Sequence, residues 1–341
     1  MTSVGVVGAS GYGGGELLRL LDGHPALKVA TVTGGEQAGR SVAEALPHLA
    51  GLAVAELTLQ RSEPEALANC ELVFLATPHE PSLELAPALV DAGARVIDLS
   101  GAYRLDAATF GAHYGQTHPD PGRAPAPYGL PELFRDGLAD APLVAVPGCY
   151  PTAALLALAP LADAIDSESI VVAGMSGTSG AGRKQRPDLQ ASHAFGNAAA
   201  YGAPRHRHEP EIAARFADLE GASPALTFVP HLVPTSRGQL CTVVASLVPG
   251  ANSFVLNAAT AMYHTEPFVT VLAEEWPATA HVAGGNGAHL RVALDHDAER
   301  VVASCAIDNL VKGAAGQAIQ CANAVLGLPE TTGLSPAGVY P

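Results

Sequence analysis

Residues 4–21 read VGVVGASGYGGGELLRLL, and this stretch decides the fold of the first part of the chain. The run Val4–Val7 is apolar throughout, as in a strand that is buried on both faces. A glycine-rich turn over 8–16 follows it, and the leucines of Glu16–Leu21 form one apolar helical face that ends at Gly23. Strand, glycine turn and helix in this order are typical of a dinucleotide-binding unit, in which the helix N-terminus faces a pyrophosphate.

Further apolar runs follow, separated by helical stretches. They are Val29–Val32, Leu72–Ala76, Arg95–Leu99 and Leu143–Val146. Near-continuous apolar strands that alternate with helices indicate a parallel sheet covered on both faces. The sequence therefore predicts a Rossmann-type, dinucleotide-binding α/β domain over residues 1–148.

After about residue 165 the pattern changes to longer strands with few helices between them. The predicted strands are Ile170–Gly174, Leu226–Val229, Gln239–Val248, His289–Leu294 and Val301–Ile307, and helices are predicted at about 153–164, 253–263 and 313–326. This pattern predicts a second, α+β domain over 149–312 with a mixed, largely antiparallel sheet.

Composition excludes several classes of protein. Of the 341 residues, 48% are hydrophobic and 15% are charged, unlike a disordered chain, and the net charge of −15 argues against a nucleic-acid-binding protein. The sequence shows no apolar run long enough for a membrane span and no signal-peptide pattern. The five widely spaced cysteines include no CxxC pair. We therefore expect a cytoplasmic protein with reduced cysteines.

The predicted cofactor site begins in the glycine turn, with Gly8, Ser10, Gly11, Tyr12 and Gly13. At the end of the second strand, where NAD-binding proteins usually carry an acid, the chain has Thr33 and two glycines. Glu36 lies close by, but Arg40 and Ser41 could meet a 2′-phosphate instead. The sequence thus favours NADP(H) over NAD as the cofactor.

Residues 146–152, VPGCYPT, contain the candidate nucleophile. An apolar strand runs into Cys149, and Pro151 suits the first turn of the helix that follows. Cys149 would then lie at a helix N-terminus, where the helix dipole favours the nucleophilic thiolate. A structural thiol is the alternative, and it is the simpler interpretation for the cysteines that fall within or beside other elements, namely Cys70, Cys241, Cys305 and Cys321.

A thiolate nucleophile needs a nearby acid or base, and residues 205–211, RHRHEPE, form the densest histidine cluster. His206 and His208 are both candidates for this role. A metal site in the same cluster is disfavoured because the neighbouring arginines would repel a cation. We therefore predict no metal.

Five basic residues lie between 183 and 207 in an otherwise acidic chain. This local excess indicates a small anionic substrate or a cofactor phosphate, with a solvated basic loop as the alternative. The region 177–202 is rich in Gly, Ala and Ser and could move as a lid. It overlaps a second glycine turn, Ser176–Gly182, whose backbone N–H groups could face a ligand.

In this order, these motifs resemble the N-acetyl-gamma-glutamyl-phosphate reductase family of the aspartate-semialdehyde dehydrogenase group. The resemblance spans residues 4 to about 325, and the cysteine motif together with residues 206–208 is its most specific part. The other segments that carry it are 8–16, 75–79, 98–104, 176–183 and 308–318.

The resemblance implies an enzyme of arginine biosynthesis that reduces N-acetyl-glutamyl 5-phosphate with NADPH, giving N-acetyl-glutamate 5-semialdehyde and phosphate. Cys149 would form a thioester with the acyl group. His208 would be the acid–base residue, with His206 as the competitor and a substrate-binding residue. Arg104 and Arg183 would bind the substrate's phosphate or carboxylate. Further contacts with the cofactor are implied for Ala76, Thr77, Pro78, Ser176, Gly177, Gly180 and Asn309.

The resemblance also implies a domain arrangement. Residues 149–312 would form the catalytic and oligomerisation domain of a dimer or tetramer, and 313–341 would pack back on the NADP-binding domain. Two alternatives remain open. One is the amino-adipate-type phosphate reductase of lysine biosynthesis, which would need a basic docking surface for its small acidic carrier protein. The other is a dinucleotide-binding sensor without catalysis.

Overall fold

The computed structural model describes residues 1–251, 254–295 and 297–340, and the chain divides into two compact units. Unit 1 comprises Met1–Gly148 and Ala314–Leu334, and unit 2 comprises Cys149–Gly313 and the residues from Ser335 onward. The predicted segment 313–341 is therefore divided between the units, and its last residue, Pro341, lies outside the described residues. Which unit carries which function stays a prediction at this point.

Unit 1 is built on a parallel sheet with the strand order β2-β1-β3-β4-β5. Its strands fall on the predicted apolar runs, so the Rossmann-type sheet is confirmed. Residues such as Val6, Phe74 and Ile97 have no exposed surface, as strands of a parallel sheet require. The strands are β1 (Thr2–Val7), β2 (Leu27–Val32), β3 (Leu72–Leu75), β4 (Arg95–Asp98) and β5 (Leu143–Ala145).

Helices follow the strands of this parallel sheet. The first begins inside the predicted glycine turn, at Tyr12 rather than at Glu16, and it buries Leu17, Leu18 and Leu21 in the core that covers the sheet. The helices are α1 (Tyr12–Leu21), α2 (Val42–Ala45), α3 (His79–Asp91), α4 (Ala107–Tyr114) and α5 (Pro131–Phe134).

Unit 2 is built on a mixed sheet with the strand order β10-β11-β12-β9-β6-β8-β7. The neighbours β11-β12-β9-β6 are antiparallel, whereas β6-β8 and β10-β11 are parallel, so the predicted mixed, largely antiparallel sheet is confirmed. The elements are α6 (Cys149–Leu158), β6 (Ile170–Gly177), α7 (Ala191–Ala194), β7 (Ala199–Ala200), α8 (Glu209–Glu220), β8 (Leu226–Val233), β9 (Gln239–Ser246), α9 (Val255–Tyr263), β10 (Val269–Val271), β11 (Ala288–Asp295) and β12 (Arg300–Ile307).

Two predicted helices of unit 2 have different bounds in the structure. The helix predicted at about 153–164 begins earlier, at Cys149, and its α-helical part ends at Leu158. Pro160 lacks the N–H that would continue the α-helix, and the chain tightens to a 3₁₀-helix over Ala159–Ala164. The helix predicted at about 253–263 would start at Ser253, which lies outside the described residues. In the described parts of the chain, no helix combines the length and hydrophobicity needed to cross a lipid bilayer.

The two faces of the mixed sheet differ in their surroundings. Helix α6 is buried from Tyr150 to Leu158 and packs against β9 and β12 on one face. The opposite face presents alternate residues of β6, and among them Val171 and Met175 are each 43% exposed. These two apolar side chains are thus accessible in the single chain.

The chain returns to unit 1 through a π-helical turn, Val311–Ala315, and helix α10 (Gly316–Val325). Gln317 Nε2 donates to the carbonyl of Gly129 at 2.8 Å, across 188 positions of sequence. Arg95 Nη1 donates to the carbonyl of Val325 at 2.8 Å. These bonds fix α10 within unit 1.

The residues beyond Leu334 pack on unit 2 instead. Asn286 N donates to Ser335 O, and Val339 N donates to Ala283 O, both at 2.7 Å. The expectation that the whole segment to residue 341 packs on the first domain is therefore wrong for the described residues of this tail, because its backbone hydrogen bonds are made with unit 2.

His24 ties the end of α1 to α10. Its Nε2 is 3.1 Å from Asn323 Oδ1, and its Nδ1 accepts the backbone N–H groups of Ala26 and Leu27. A Cβ on Gly333 would lie 2.3 Å from the His24 ring, so a glycine is needed there. Burial lowers the pKa of His24, and a proton on Nδ1 would face two N–H donors.

We expect His24 to make the stability of unit 1 decrease at acid pH. Its pKa is lower in the folded state, so the unfolded chain takes up a proton first as the pH falls through about 6.5, and the free energy of unfolding decreases. His24→Gln should lower the free energy of unfolding by about 1–3 kcal/mol at neutral pH. It should also make the further decrease at acid pH smaller. Urea unfolding above and below that pH measures both effects, with the exposed His48→Gln as control. An unchanged pH dependence in His24→Gln would contradict the assignment.

Candidate active site

The glycine turn of unit 1 is shaped by close backbone approaches. Gly8 has a φ of +77°, and a Cβ on it would lie 2.4 Å from Ala76 O at the end of β3. A Cβ on Gly14 would lie 2.3 Å from Gly8 O, so α1 packs directly on the turn. Helix α1 begins after Gly11 without a side-chain cap, which leaves its first N–H groups for a ligand. The turn therefore fits the pyrophosphate of a dinucleotide.

The other predicted cofactor residues of unit 1 surround this turn. Ser10 Oγ donates to Gly34 O at 3.3 Å and so ties the turn to the end of β2. The buried Thr33 shares a hydrogen bond with Ser62 through their hydroxyl oxygens, 2.8 Å apart. The remaining ones lie at the start of α1 or directly before α3, namely Tyr12, Gly13, Thr77 and Pro78.

The segment after β2 carries the residues expected near a 2′-phosphate. Arg40 is exposed, and its guanidinium donates to Gln37 Oε1 and to Glu44 O, both at 2.7 Å. Ser41 caps α2, because its Oγ accepts from Glu44 N at 3.2 Å. Glu36 is exposed. A surface guanidinium at this position suits the 2′-phosphate of NADP, whereas the Ser41 hydroxyl is used within the helix cap.

Arg104, predicted to bind the substrate, is 94% buried in unit 1, with 6% of its surface exposed. Its Nε donates to Val146 O and its Nη2 to Leu99 O, both at 2.7 Å. The guanidinium thus joins the residues that follow β4 and β5. This is a supporting role in unit 1, and a contact of Arg104 with substrate stays a prediction.

A cavity of about 440 Å³ opens in unit 2 at the first turn of α6. Cys149, His206 and His208 all line it, so the predicted nucleophile and both predicted acid–base candidates come together. Other residues that line the cavity are Tyr150, Ser176, Gly180, Arg186, Tyr201 and Arg207.

Cys149 is the first residue of α6 and is partly exposed, whereas the other cysteines are buried. Cys241 lies beneath the same helix turn, with its Sγ 3.6 Å from Tyr150 O. Burial raises the pKa of the Cys241 thiol well above its ordinary value, so this sulfur stays a protonated packing group. Cys149 is therefore the accessible thiol at a helix N-terminus, and its role as the nucleophile stays a prediction.

Tyr150 anchors the start of α6 to the mixed sheet. Its hydroxyl donates to His231 O at 3.0 Å and accepts from the Tyr201 hydroxyl at 3.3 Å. A Cβ on Gly174 would lie 2.5 Å from the Tyr150 ring, so β6 makes room for the ring with a glycine. Burial raises the pKa of both tyrosines, which remain neutral donors.

The two histidines occupy a short turn before α8. Their ring centroids are 4.9 Å apart, and the backbone N–H of His208 donates to His206 Nδ1 at 3.2 Å. His208 is 6% exposed and lies at the N-cap position of α8, with Pro210 in the first turn. Burial, assisted by the charge of Arg207, lowers the pKa of His206 to about 4.

The second glycine turn is held from one side by Asn309. Asn309 Nδ2 donates to Ser179 Oγ at 2.9 Å, and its Oδ1 accepts from Gly238 N at 2.8 Å. A Cβ on Gly180 would lie 2.7 Å from Ser176 Oγ, so glycine is required for this packing. A Cβ on Gly177 would lie 2.9 Å from the Arg237 backbone. Of the predicted residues, Ser176 and Gly180 line the cavity, whereas Gly177 and Asn309 pack beside them and their contact with the cofactor stays a prediction.

The positive charge at the cavity comes from two residues that the sequence placed in the basic cluster of 183–207 but did not assign individually to the site. Arg186 and Arg207 line it, and Asp188 accepts from Arg186 Nε at 3.0 Å. Arg183 is on the same loop but is not among the lining residues, so its assignment to the substrate stays a prediction. Tyr201 was also missed, although an aromatic residue in an Ala- and Gly-rich stretch was the available signal. Within the described residues, no cluster of His, Cys, Asp or Glu could hold a metal ion.

Both units match known families. The family described as "Semialdehyde dehydrogenase, NAD binding domain" matches residues 3–141, and the family described as "Semialdehyde dehydrogenase, dimerisation domain" matches residues 149–309. A solved structure of a probable aspartate-semialdehyde dehydrogenase from Pseudomonas aeruginosa has a TM-score of 0.73 at 23% identity, covering 94% of this chain and 97% of that one. Fold and matched domains thus define a protein of the semialdehyde dehydrogenase class.

Relatives with similar sequences identify the family within this class. The chain is 45% identical to an N-acetyl-gamma-glutamyl-phosphate reductase from Acidothermus cellulolyticus, over 99% of both chains. It is 46% identical to a protein of the same name from Thermobifida fusca, over 98% of both chains. The chain therefore belongs to the N-acetyl-gamma-glutamyl-phosphate reductase family, which confirms the resemblance.

We expect Cys149 to be the one reactive thiol of the folded chain. Brief treatment with iodoacetamide should add one label to the native protein and five after unfolding, because the other cysteines are buried. Cys149→Ser should take up no label in the native state and four after unfolding. Mass spectrometry of peptides identifies the labelled site. Early labelling of Cys70, Cys241, Cys305 or Cys321 would contradict this expectation.

Proposed function

We propose that this chain reduces N-acetyl-glutamyl 5-phosphate to N-acetyl-glutamate 5-semialdehyde and phosphate, with NADPH as the reductant, in arginine biosynthesis. The observation that carries the proposal is the meeting of Cys149, His208 and Arg207 in one cavity of a chain from this family. A thiol, an imidazole and a guanidinium are the groups that acyl transfer from an anionic acyl phosphate requires. The glycine turn of unit 1 supports dinucleotide binding, and the exposed Arg40 supports NADP(H).

The reaction begins with attack of the Cys149 thiolate on the acyl carbon of the substrate. A carbon–sulfur bond forms, and phosphate leaves with the electron pair of the broken carbon–oxygen bond. The product of this step is a thioester on Cys149. The positive charge of Arg207 and Arg186 stabilises the bound anion and the departing phosphate.

NADPH, when bound, supplies the hydride that reduces the thioester carbonyl. His208 then gives a proton to the hemithioacetal oxygen. It takes the proton back as the carbon–oxygen double bond reforms and the Cys149 thiolate leaves. The aldehyde departs and the nucleophile is regenerated.

The reverse reaction tests this proposal without the unstable acyl phosphate. N-acetyl-glutamate 5-semialdehyde, NADP and phosphate should give NADPH, followed by absorbance, and omission of phosphate should abolish turnover. NAD should be the poorer cofactor. Cys149→Ser should lower kcat by several orders of magnitude while NADPH binding persists.

Two results would contradict the proposed reductase function. Faster turnover of the amino-adipate semialdehyde analogue would assign the chain to the lysine-type reaction. NADPH binding without turnover of either aldehyde would favour a sensor.

We propose that a second copy of this chain covers the exposed face of the mixed sheet. The family described as a dimerisation domain spans this sheet, and Val171 and Met175 of β6 are exposed apolar residues on that face. Register places Met175 opposite Leu240 and Val171 opposite Val244, so the apolar surface continues across β9.

The absence of disulfides among the described cysteines supports a reducing compartment, and we propose a cytoplasmic location.

Met175→Asp should separate the copies, because it would bury an unpaired carboxylate in the proposed interface. Light scattering should give at least twice 34.6 kDa for the unchanged chain and about 34.6 kDa for the variant. Leu256→Asp is the matched control, since Leu256 is an exposed apolar residue on α9 and its variant should keep the larger mass. A Met175→Asp chain with unchanged mass would place the interface elsewhere.

A further inference from the structure

The hydrogen bonds of His206 fix which ring nitrogen carries its proton. His206 Nδ1 accepts the backbone N–H of His208 at 3.2 Å, and a ring nitrogen that accepts a hydrogen bond carries no proton. The neutral ring must therefore hold its hydrogen on Nε2. Within the described residues, Nε2 has no hydrogen-bond partner, although the residue lines the cavity.

The ring is held in one orientation by its surroundings. Aromatic rings lie around it, with centroids 5.4 Å away at Tyr201 and Phe228 and 5.9 Å away at Tyr150. Gly202 closes another side, because a Cβ there would lie 3.1 Å from His206 Cδ2. A fixed ring in a packed wall presents its donor without reorganisation when a ligand arrives.

The charge state of His206 suits a hydrogen-bond donor. Burial and the neighbouring Arg207 lower its pKa to about 4, so the ring is neutral in the physiological range. The titratable rings in contact with it, those of Tyr150, Tyr201 and His208, carry no negative charge that would favour protonation. A neutral imidazole with Nδ1 engaged can donate a hydrogen bond, but it cannot accept a proton without losing the bond to His208 N.

We propose that His206 donates a hydrogen bond from Nε2 to the acyl oxygen of the carbon attached to Cys149, and that proton transfer is left to His208. The inference rests on the proposed function and deepens it. Negative charge develops on this oxygen when the thiolate attacks and again when the thioester is reduced. His206 would stabilise that charge in both steps, as an oxyanion-hole donor does.

The test compares variants with and without a donor at the Nε2 position. His206→Met removes the donor and should lower kcat about 100- to 1,000-fold. His206→Gln places an amide N–H close to the former Nε2 position and should recover most of this loss. His264→Met, at an exposed histidine of unit 2, is the matched control and should leave kcat unchanged.

The pH profile separates this role from proton transfer. His206→Met should keep the pH dependence of kcat of the unchanged enzyme, whereas His208→Gln should remove the transition that depends on the acid–base group. The labelling rate of Cys149 and the affinity for NADPH should be the same in His206→Met as in the unchanged chain, which excludes general damage to the site. If His206→Met does not fold, His206→Phe serves as the donor-free variant.

The possible failures are distinguishable. Absence of phosphate-dependent turnover in the unchanged chain would overturn the proposed function, and this inference with it. Normal turnover in the unchanged chain with kcat within about threefold in the donor-free variant would overturn the inference alone, since a lost oxyanion donor costs far more. A donor-free variant that loses the pH transition would make His206 the acid–base residue and would also overturn it.

Discussion

Burial of helix α6 against the mixed sheet is the constraint on which the geometry of the reactive thiol depends. From Tyr150 to Leu158 every residue of this helix is buried, so the helix has no solvent-facing side on which it could shift. Cys149 is the exception at its first turn, where the thiol meets both the helix dipole and the cavity. A thiol placed in this way is positioned by packing along the whole helix.

The polar groups around the thiol are positioned through a chain of neutral donors. The Tyr201 hydroxyl donates to that of Tyr150, which in turn donates to a carbonyl of β8. Burial keeps these hydroxyls protonated and also keeps His206 uncharged. Positive charge at the cavity therefore comes from the guanidinium groups of Arg186 and Arg207. The charged groups and the neutral hydrogen-bonding groups of the cavity are thus different side chains.

Much of the fold follows from local patterns in the sequence. The runs Val4–Val7 and Leu143–Val146 became strands because continuous apolar stretches are recognisable without tertiary information. Cys149 was found for a similar reason, since a strand followed by Pro151 marks a helix start. Arg186 was not distinguished from Arg183, because their loop has no periodicity and long-range packing decides which side chain faces the cavity. The short strand β7 and the course of the chain beyond Leu334 likewise depend on pairing with distant residues.

The position of α10 in unit 1 has a consequence for how the protein is made. Ala318, Ile319 and Ala322 of this helix lie in the same core as Val4 and Leu17, so the interior of unit 1 is formed by segments that are far apart in the sequence. A ribosome synthesises all of unit 2 up to Gly313 before it delivers that helix. The usual order, in which N-terminal domains complete folding first, is therefore unavailable here. Until α10 is synthesised, the core residues of unit 1 that it covers remain exposed. Chaperones that bind exposed apolar surfaces can act on unit 1 during this interval.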